Sequence, residues 1–201
     1  FGSSCGAQTW LSQCQKMAVA PPPAPAAQPP PTGVPAGGLT KRFARELAEC
    51  AKQGAWQRSL SVLSELKALR LTPTVIAYNR AAEACARAGQ WDWALRLLYD
   101  MKARGVEPND YMYNVVISAC VKAGEWQWAA ALLMERPTDV IAFTNVISAC
   151  GRAGEWTRAR ALFTHMLDLG FRPDAQVYNA VIGACEHASA WQEAVALLDR
   201  E

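Results

Sequence analysis

Residues 75–109 read VIAYNRAAEACARAGQWDWALRLLYDMKARGVEPN. This stretch predicts two helices joined by a tight turn, and the pattern returns along the rest of the chain. Tyr78-Asn79 recurs as Tyr113-Asn114, Phe143-Thr144 and Tyr178-Asn179. Cys85 recurs as Cys120, Cys150 and Cys185, with Cys50 upstream. Trp91 recurs as Trp126, Trp156 and Trp191, with Trp56 upstream. Both series step by 35, 35, 30 and 35 residues. A period of this size is the signature of stacked helical hairpins. The expected fold is therefore all-α: a right-handed α-α superhelix, or solenoid, of antiparallel helix-turn-helix repeats.

Numbering each repeat from the residue four before the Tyr-Asn asparagine gives repeats 40–74, 75–109, 110–139, 140–174 and an incomplete 175–201. The first helix of each, helix A, takes about the first 13 positions, and helix B about positions 17–29. Gly54, Gly89, Gly124 and Gly154 fall at the turn between them, where a left-handed residue ends a helix. Ser189 replaces glycine in the last repeat. Pro73, Pro108 and Pro173 fall between helix B and the next helix A, where a helix cannot continue. The third repeat is five residues short. MERPTD (134–139) stands where the second repeat has MKARGVEPN (101–109), so its helix B should lose about a turn.

On a helical wheel at about 100° per residue, positions 4, 7, 8, 11 and 14 of helix A share one side. In the second repeat these are Tyr78, Ala81, Ala82, Cys85 and Ala88, the stripe of a helix packed on its partner. Helix B answers with Trp91, Ala94, Leu97, Leu98 and Met101. The tryptophans are thus expected to pack between helices, with base stacking as the alternative. Positions 2, 5, 9 and 13 fall opposite, on the side that lines the inner groove of stacked helix pairs. Position 13 reads Lys52, Arg87, Lys122, Arg152 and His187. Position 5 reads Ala44, Asn79, Asn114, Thr144 and Asn179. Position 2 reads Lys41, Ile76, Tyr111, Ile141 and Gln176.

A basic column beside a hydrogen-bonding column and a partly apolar one suits a single nucleic-acid strand. Cations neutralise phosphates, small polar side chains read unstacked base edges, and apolar side chains pack on base faces. Each column also has a simpler role. A cation late in helix A favours the helix dipole, and a polar residue at position 5 is at home in water. Thr74, Asn109, Asp139 and Asp174 close the complete repeats, and all four are good N-caps for the helix that follows.

Bulk composition neither supplies nor forbids this function. With 20 basic and 18 acidic residues the net charge is +2, too balanced to signal nucleic-acid binding by itself. Five of the seven cysteines sit at one register. Packed helices lie roughly 8–10 Å apart and a disulfide needs Cα atoms within about 7 Å, so these thiols are expected free and buried, in a reducing compartment. With two histidines and no CxxC, neither a zinc site nor another metal or cofactor is expected. No apolar run reaches membrane-spanning length. Residues 1–39 form a separate segment, with Lys16 its sole charged residue and PPPAPAAQPPP at its centre. It reads as an extended, disordered linker or, from its lack of acids, as a targeting sequence. A chain that starts at Phe1 and stops at Glu201 inside a helical pattern reads as a fragment.

The repeats resemble the pentatricopeptide repeat family, whose hairpin of about 35 residues opens V-x-Y-N, turns at K-x-G, carries A-x-x-L-F-x-x-M in helix B and ends G-x-x-P-D. The matches here are YN at 78 and 113, KAG at 122–124, ALFTHM at 161–166 and GFRPD at 170–174. The tetratricopeptide repeat, the nearest confusable family, has a period of about 34 residues and a different signature. The resemblance covers about 40–201. It implies binding of single-stranded RNA at one base per repeat, with positions 5 and 35 selecting the base, position 2 sandwiching it and position 13 approaching phosphate. Carried onto this chain, base selection falls to Asn79, Asn109, Asn114, Asp139, Thr144, Asp174 and Asn179. Base packing falls to Ile76, Tyr111 and Ile141, and phosphate contact to Lys52, Arg87, Lys122 and Arg152. Asn79 with Asn109 implies a pyrimidine, preferably C. Asn114 with Asp139 implies U, Thr144 with Asp174 implies G, and Asn179 a pyrimidine. Ala44 with Thr74 departs from the usual pairs.

The leading expectation is a non-catalytic RNA adaptor in a chloroplast or mitochondrion, acting in RNA processing, stability, editing or translation alongside other RNA-processing proteins. A cytoplasmic location is the alternative. No small-molecule substrate, membrane or catalytic residue is implied. Two other classes compete: a protein-interaction scaffold like the tetratricopeptide repeats, whose basic groove would hold an acidic peptide, and the RNA-targeting part of a larger enzyme. The chain carries no phosphate-binding glycine loop and no H-x-E with C-x-x-C.

Overall fold

The computed structural model describes residues 36–187, with side chains from 41 to 184. Helices are the regular elements of the described residues: α1 (Ala36–Gln53), α2 (Trp56–Ala68), α3 (Val75–Arg87), α4 (Trp91–Ala103), α5 (Asp110–Ala123), α6 (Trp126–Glu135), α7 (Val140–Arg152), α8 (Trp156–Asp168) and α9 (Ala175–His187). Odd-numbered helices are the A helices and even-numbered ones the B helices. Every described B helix begins at the repeat's tryptophan. Helix α6 has 10 residues against 13 in α4 and α8, close to the one-turn loss expected from the shortened repeat.

One boundary differs from expectation. Helix α1 starts at Ala36, four residues ahead of the Thr40 boundary and inside the stretch read as extended. The Pro/Ala-rich run before α1, and Ser189 and Trp191 of the last repeat, lie outside the described residues.

The hairpin turn is built the same way in each described repeat. Gly54, Gly89, Gly124 and Gly154 have φ of 67°, 72°, 83° and 76°. The amide after each glycine then donates back to the carbonyl of that repeat's cysteine: Ala55 to Cys50 at 3.0 Å, and Gln90 to Cys85, Glu125 to Cys120 and Glu155 to Cys150 at 2.9 Å. This six-to-one bond is the Schellman closure of a helix. It fixes where helix A stops and hence which residues face helix B.

The chain forms two compact units, divided between Ala119 and Cys120 within α5. In the first, α1 packs on α3, and the B helices α2 and α4 both pack on α3. Its core includes Leu47, Leu63, Tyr78, Ala81, Cys85, Leu98 and Met101. In the second, α7 packs on α9, α8 packs on both, and α6 packs on α7. Its core includes Leu133, Phe143, Ile147, Cys150 and Met166. The stripe expected to pack does so: Tyr78, Ala81, Ala82 and Cys85 are fully buried, as are Ala94, Leu98 and Met101 opposite them.

Cys50, Cys85, Cys120 and Cys150 are free and buried. Burial pushes the thiols of Cys85, Cys120 and Cys150 up to about 12, so they are poor nucleophiles at neutral pH. Two of the tryptophans, Trp56 and Trp126, pack against the following B helix. Trp56 meets Trp93 with ring centroids 6.2 Å apart, and the Arg158 guanidinium lies 4.7 Å from the Trp126 ring centroid. In both cases the first residue of one helix B meets the third residue of the next.

Candidate functional site

The residues left over from packing lie on one face of each A helix. At position 2, Ile76 and Ile141 are 66% and 69% exposed and Tyr111 is 47% exposed. The residue after each, Ala77, Met112 or Ala142, is buried. A single exposed isoleucine carries no message. The same register in three consecutive A helices does, because folding leaves those side chains in water each time.

At position 5, Asn79, Asn114 and Thr144 are half-buried and Asn179 is exposed. Asn79 and Asn109 meet directly: the Asn79 amide Nδ2 donates to Asn109 Oδ1 at 3.3 Å. Asn109 Oδ1 also accepts from the Met112 amide at 3.0 Å. Two donors on one oxygen fix the orientation of the Asn79 amide, since a flip would set oxygen against oxygen. The Asn79 Oδ1 is buried and has no hydrogen-bond partner. An unpaired buried acceptor is costly.

The closing residues all cap the following helix. The Thr74 hydroxyl accepts from Ala77 N at 3.3 Å. Asp139 and Asp174 accept from Ala142 N at 2.7 Å and Val177 N at 2.9 Å. Asp139 is thus the N-cap of α7 despite the deletion before it, and the deletion is absorbed within α6 and its connection. Thr144 behaves differently from Asn79. Its hydroxyl donates to the Val140 carbonyl one turn back at 2.8 Å, and no hydrogen bond joins it to Asp174 among the described residues. Asn114 and Asp139 fall in separate units.

At position 13, Lys52, Arg87, Lys122 and Arg152 are all exposed; the His187 side chain lies outside the described residues. Arg87 is the most constrained. Its Nη1 donates to the Lys52 carbonyl at 3.3 Å, at the C-terminus of α1, and its Nη2 to Glu83 Oε1 at 3.3 Å. For Arg87 the helix-dipole role is therefore met across repeats, at the C-terminal end of α1. Glu83, at position 9, is a residue that the sequence reasoning misses. A signal for it exists: position 9 reads Ala48, Glu83, Ser118, Ser148 and Gly183, with a single acid.

Among the described residues there is no group of three or more His, Cys, Asp or Glu that could hold a metal ion, and no helix long and apolar enough to cross a membrane. What α3, α5 and α7 each present is an exposed apolar side chain, a polar side chain one turn on, and a cation two turns beyond that. This set can pack on a flat ring, exchange hydrogen bonds with its edge and neutralise a negative charge.

The PPR repeat family model matches residues 73–122 and 138–187, and the PPR repeat model matches 111–135 and 176–200. None of the curated proteins compared matches. Among solved structures, the chain is similar to the PPR domain of Arabidopsis thaliana protein-only RNase P 1 in complex with tRNA. The identity is 15% and the TM-score 0.68, over 81% of this chain and 88% of that one. It is also similar to the pentatricopeptide repeat protein PPR10 in complex with an 18-nt psaJ RNA element, at 24% identity and a TM-score of 0.60, over 95% of this chain. This chain spans 27% of the PPR10 chain. These likenesses show the all-α helical-repeat fold. The matched repeats extend over most of residues 73–200, and the chain belongs to the PPR repeat family.

Proposed function

We propose that the chain binds single-stranded RNA along its A helices, one base per repeat, as a non-catalytic adaptor in organellar RNA processing, stability, editing or translation. The observation that carries this reading is the recurrence, at one register of α3, α5 and α7, of an exposed apolar side chain, a half-buried polar one and an exposed cation. Membership of the PPR repeat family supports it, as do the RNA partners of both similar structures.

In this reading Ile76, Tyr111 and Ile141 pack on base faces, and Lys52, Arg87, Lys122 and Arg152 approach phosphates. Base choice falls to Asn79 with Asn109 for C, Asn114 with Asp139 for U and Thr144 with Asp174 for G, with a pyrimidine at Asn179. The target then contains 5′-C-U-G-pyrimidine-3′. The orphan Asn79 Oδ1 suits this choice, because the exocyclic amine of cytosine supplies the donor that it lacks.

The test is binding of the full chain to short single-stranded RNAs that carry this sequence or permutations of it. Asn79→Ala should weaken preference at the first base. Lys122→Gln and Arg152→Gln should lower affinity for every sequence and flatten the salt dependence. Variants that bind every RNA with the parent's affinity and preference would rule out this face. Organellar targeting by residues 1–39, proposed from their lack of acids, is tested by fusing them to a fluorescent protein.

A further inference from the structure

Glu83 is out of place on the surface just described. Across positions 2, 5, 9 and 13 of the repeats it is the one carboxylate. Its side chain is only 18% exposed, and it holds two arginines: Arg80 Nη1 at 3.0 Å from Oε2 and Arg87 Nη2 at 3.3 Å from Oε1. Arg87 in turn reaches back to the Lys52 carbonyl. The acid beside Lys52 sits differently. Glu49, the partner of Lys52, is at position 10 and is 55% exposed, so water screens that pair heavily.

We infer that Glu83 is an internal competitor for phosphate at the second repeat: it neutralises Arg87 and so lowers that repeat's share of RNA affinity. The inference rests on the RNA-binding reading above. A phosphate approaching Arg87 meets a guanidinium already engaged by a carboxylate and a carbonyl, with the Glu83 charge one helical turn away. Like charges brought that close repel. The local affinity is therefore set by the net charge of Arg80, Glu83 and Arg87 together rather than by Arg87 alone. The second repeat would contribute base selection through Asn79 and Asn109 with less phosphate attraction than its arginines alone would give, leaving more of the sequence-independent attraction to Lys52, Lys122 and Arg152. That division favours discrimination over bulk affinity, since phosphate contacts carry no sequence information.

The test uses the full chain and single-stranded RNA carrying the proposed sequence, titrated over a range of salt. Glu83→Gln keeps the shape of the side chain and removes its charge. The expected result is binding tighter by roughly two- to fivefold, the scale of an exposed ion pair, with a steeper salt dependence from one more released counterion. Arg87→Gln should cost more in the Glu83→Gln background than in the parent. Lys122→Gln separates the two ideas. If it leaves binding and salt slope unchanged, the RNA-binding reading fails. If it weakens binding while Glu83→Gln leaves binding unchanged or weaker, or Arg87→Gln costs the same in both backgrounds, the competitor role is overturned.

Discussion

The Tyr78 hydroxyl donates to Asp100 Oδ2 at 2.6 Å, and the same oxygen accepts from Lys67 Nζ at 2.7 Å. Lys67 belongs to the first repeat, Tyr78 and Asp100 to the second. Arg104 adds its Nε to the same carboxylate at 3.1 Å. Burial works to raise the Asp100 carboxyl, but these donors more than offset it and hold it below the usual carboxylate range. A depressed value stabilises the fold above the unfolded-state pKa, and that contribution disappears as pH falls through the folded one. Asp100→Ala leaves a buried hydroxyl and a lysine without their acceptor and should cost about 1–3 kcal/mol in urea unfolding at pH 7. Tyr78→Phe keeps the ring and leaves the carboxylate with its two cations, so it should cost less. The fourth repeat replaces both partners: Phe143 stands at the tyrosine position and His165 at the aspartate position, with ring centroids 6.3 Å apart.

A close approach of helix backbones governs the second prediction. A Cβ on Gly151 would lie 2.9 Å from the Ala184 Cβ and 3.1 Å from its Cα. The clash is with the backbone of α9, which no rotamer change relieves. Gly151→Ala should destabilise by about 1–3 kcal/mol, the usual cost of overpacking. Gly183→Ala is the control. It lies in the same helix pair, and a methyl added there would meet nothing within 4 Å. This change should stabilise by roughly 0.5–1 kcal/mol, as a helix-interior glycine replaced by alanine. Thermal unfolding of the two variants separates contact from propensity.

The third prediction concerns Arg70, which has φ of 54°. The Arg70 and Leu71 amides close the end of α2 onto the Lys67 and Leu66 carbonyls, both at 3.0 Å. The second and fourth repeats place Gly105 and Gly170 at this step, with φ of 71° and 80°. A side chain in the left-handed region is strained, so Arg70→Gly should raise stability by up to about 1 kcal/mol despite the greater freedom of glycine when unfolded. A lower unfolding midpoint for Arg70→Gly would count against this.

Sequence reveals the frame because the frame repeats. In the first four repeats a tryptophan opening helix B, a cysteine carbonyl closing helix A, and capping residues between repeats all recur at one register, so periodicity alone places them. The chemistry that changes from repeat to repeat stays hidden. Lys67 and Asp100 are 33 residues apart. The acid position reads Glu65, Asp100 and Glu135 before changing to His165, and the lysine and tyrosine recur as Lys102 and Tyr113, but nothing in the spacing says that side chains of two repeats share one carboxylate. The pairing of Asn79 with Asn109, against the turn of Thr144 onto Val140, depends on what each side chain can reach, not on its place in the motif. The start of α1 at Ala36 escapes notice because composition marks the Pro-rich stretch but not where it ends.

The buried thiols supply the last prediction. Cys85, Cys120 and Cys150 are wholly buried, and burial raises each from 9.0 to about 12. Burial also raises the Tyr78 hydroxyl, helped by its bond to Asp100. Above pH 9 the unfolded chain loses these protons while the folded chain keeps them. The unfolded state then binds fewer protons, so stability falls as pH rises. This loss should run from about pH 9 to about 12, and it should shrink when the thiols are removed. Cys85→Ala/Cys120→Ala/Cys150→Ala will be less stable than the parent at pH 7 because of the lost packing. Its stability should nevertheless decline less steeply between pH 8.5 and 10.5, and equal slopes for the two proteins in urea unfolding over that range would refute the assignment.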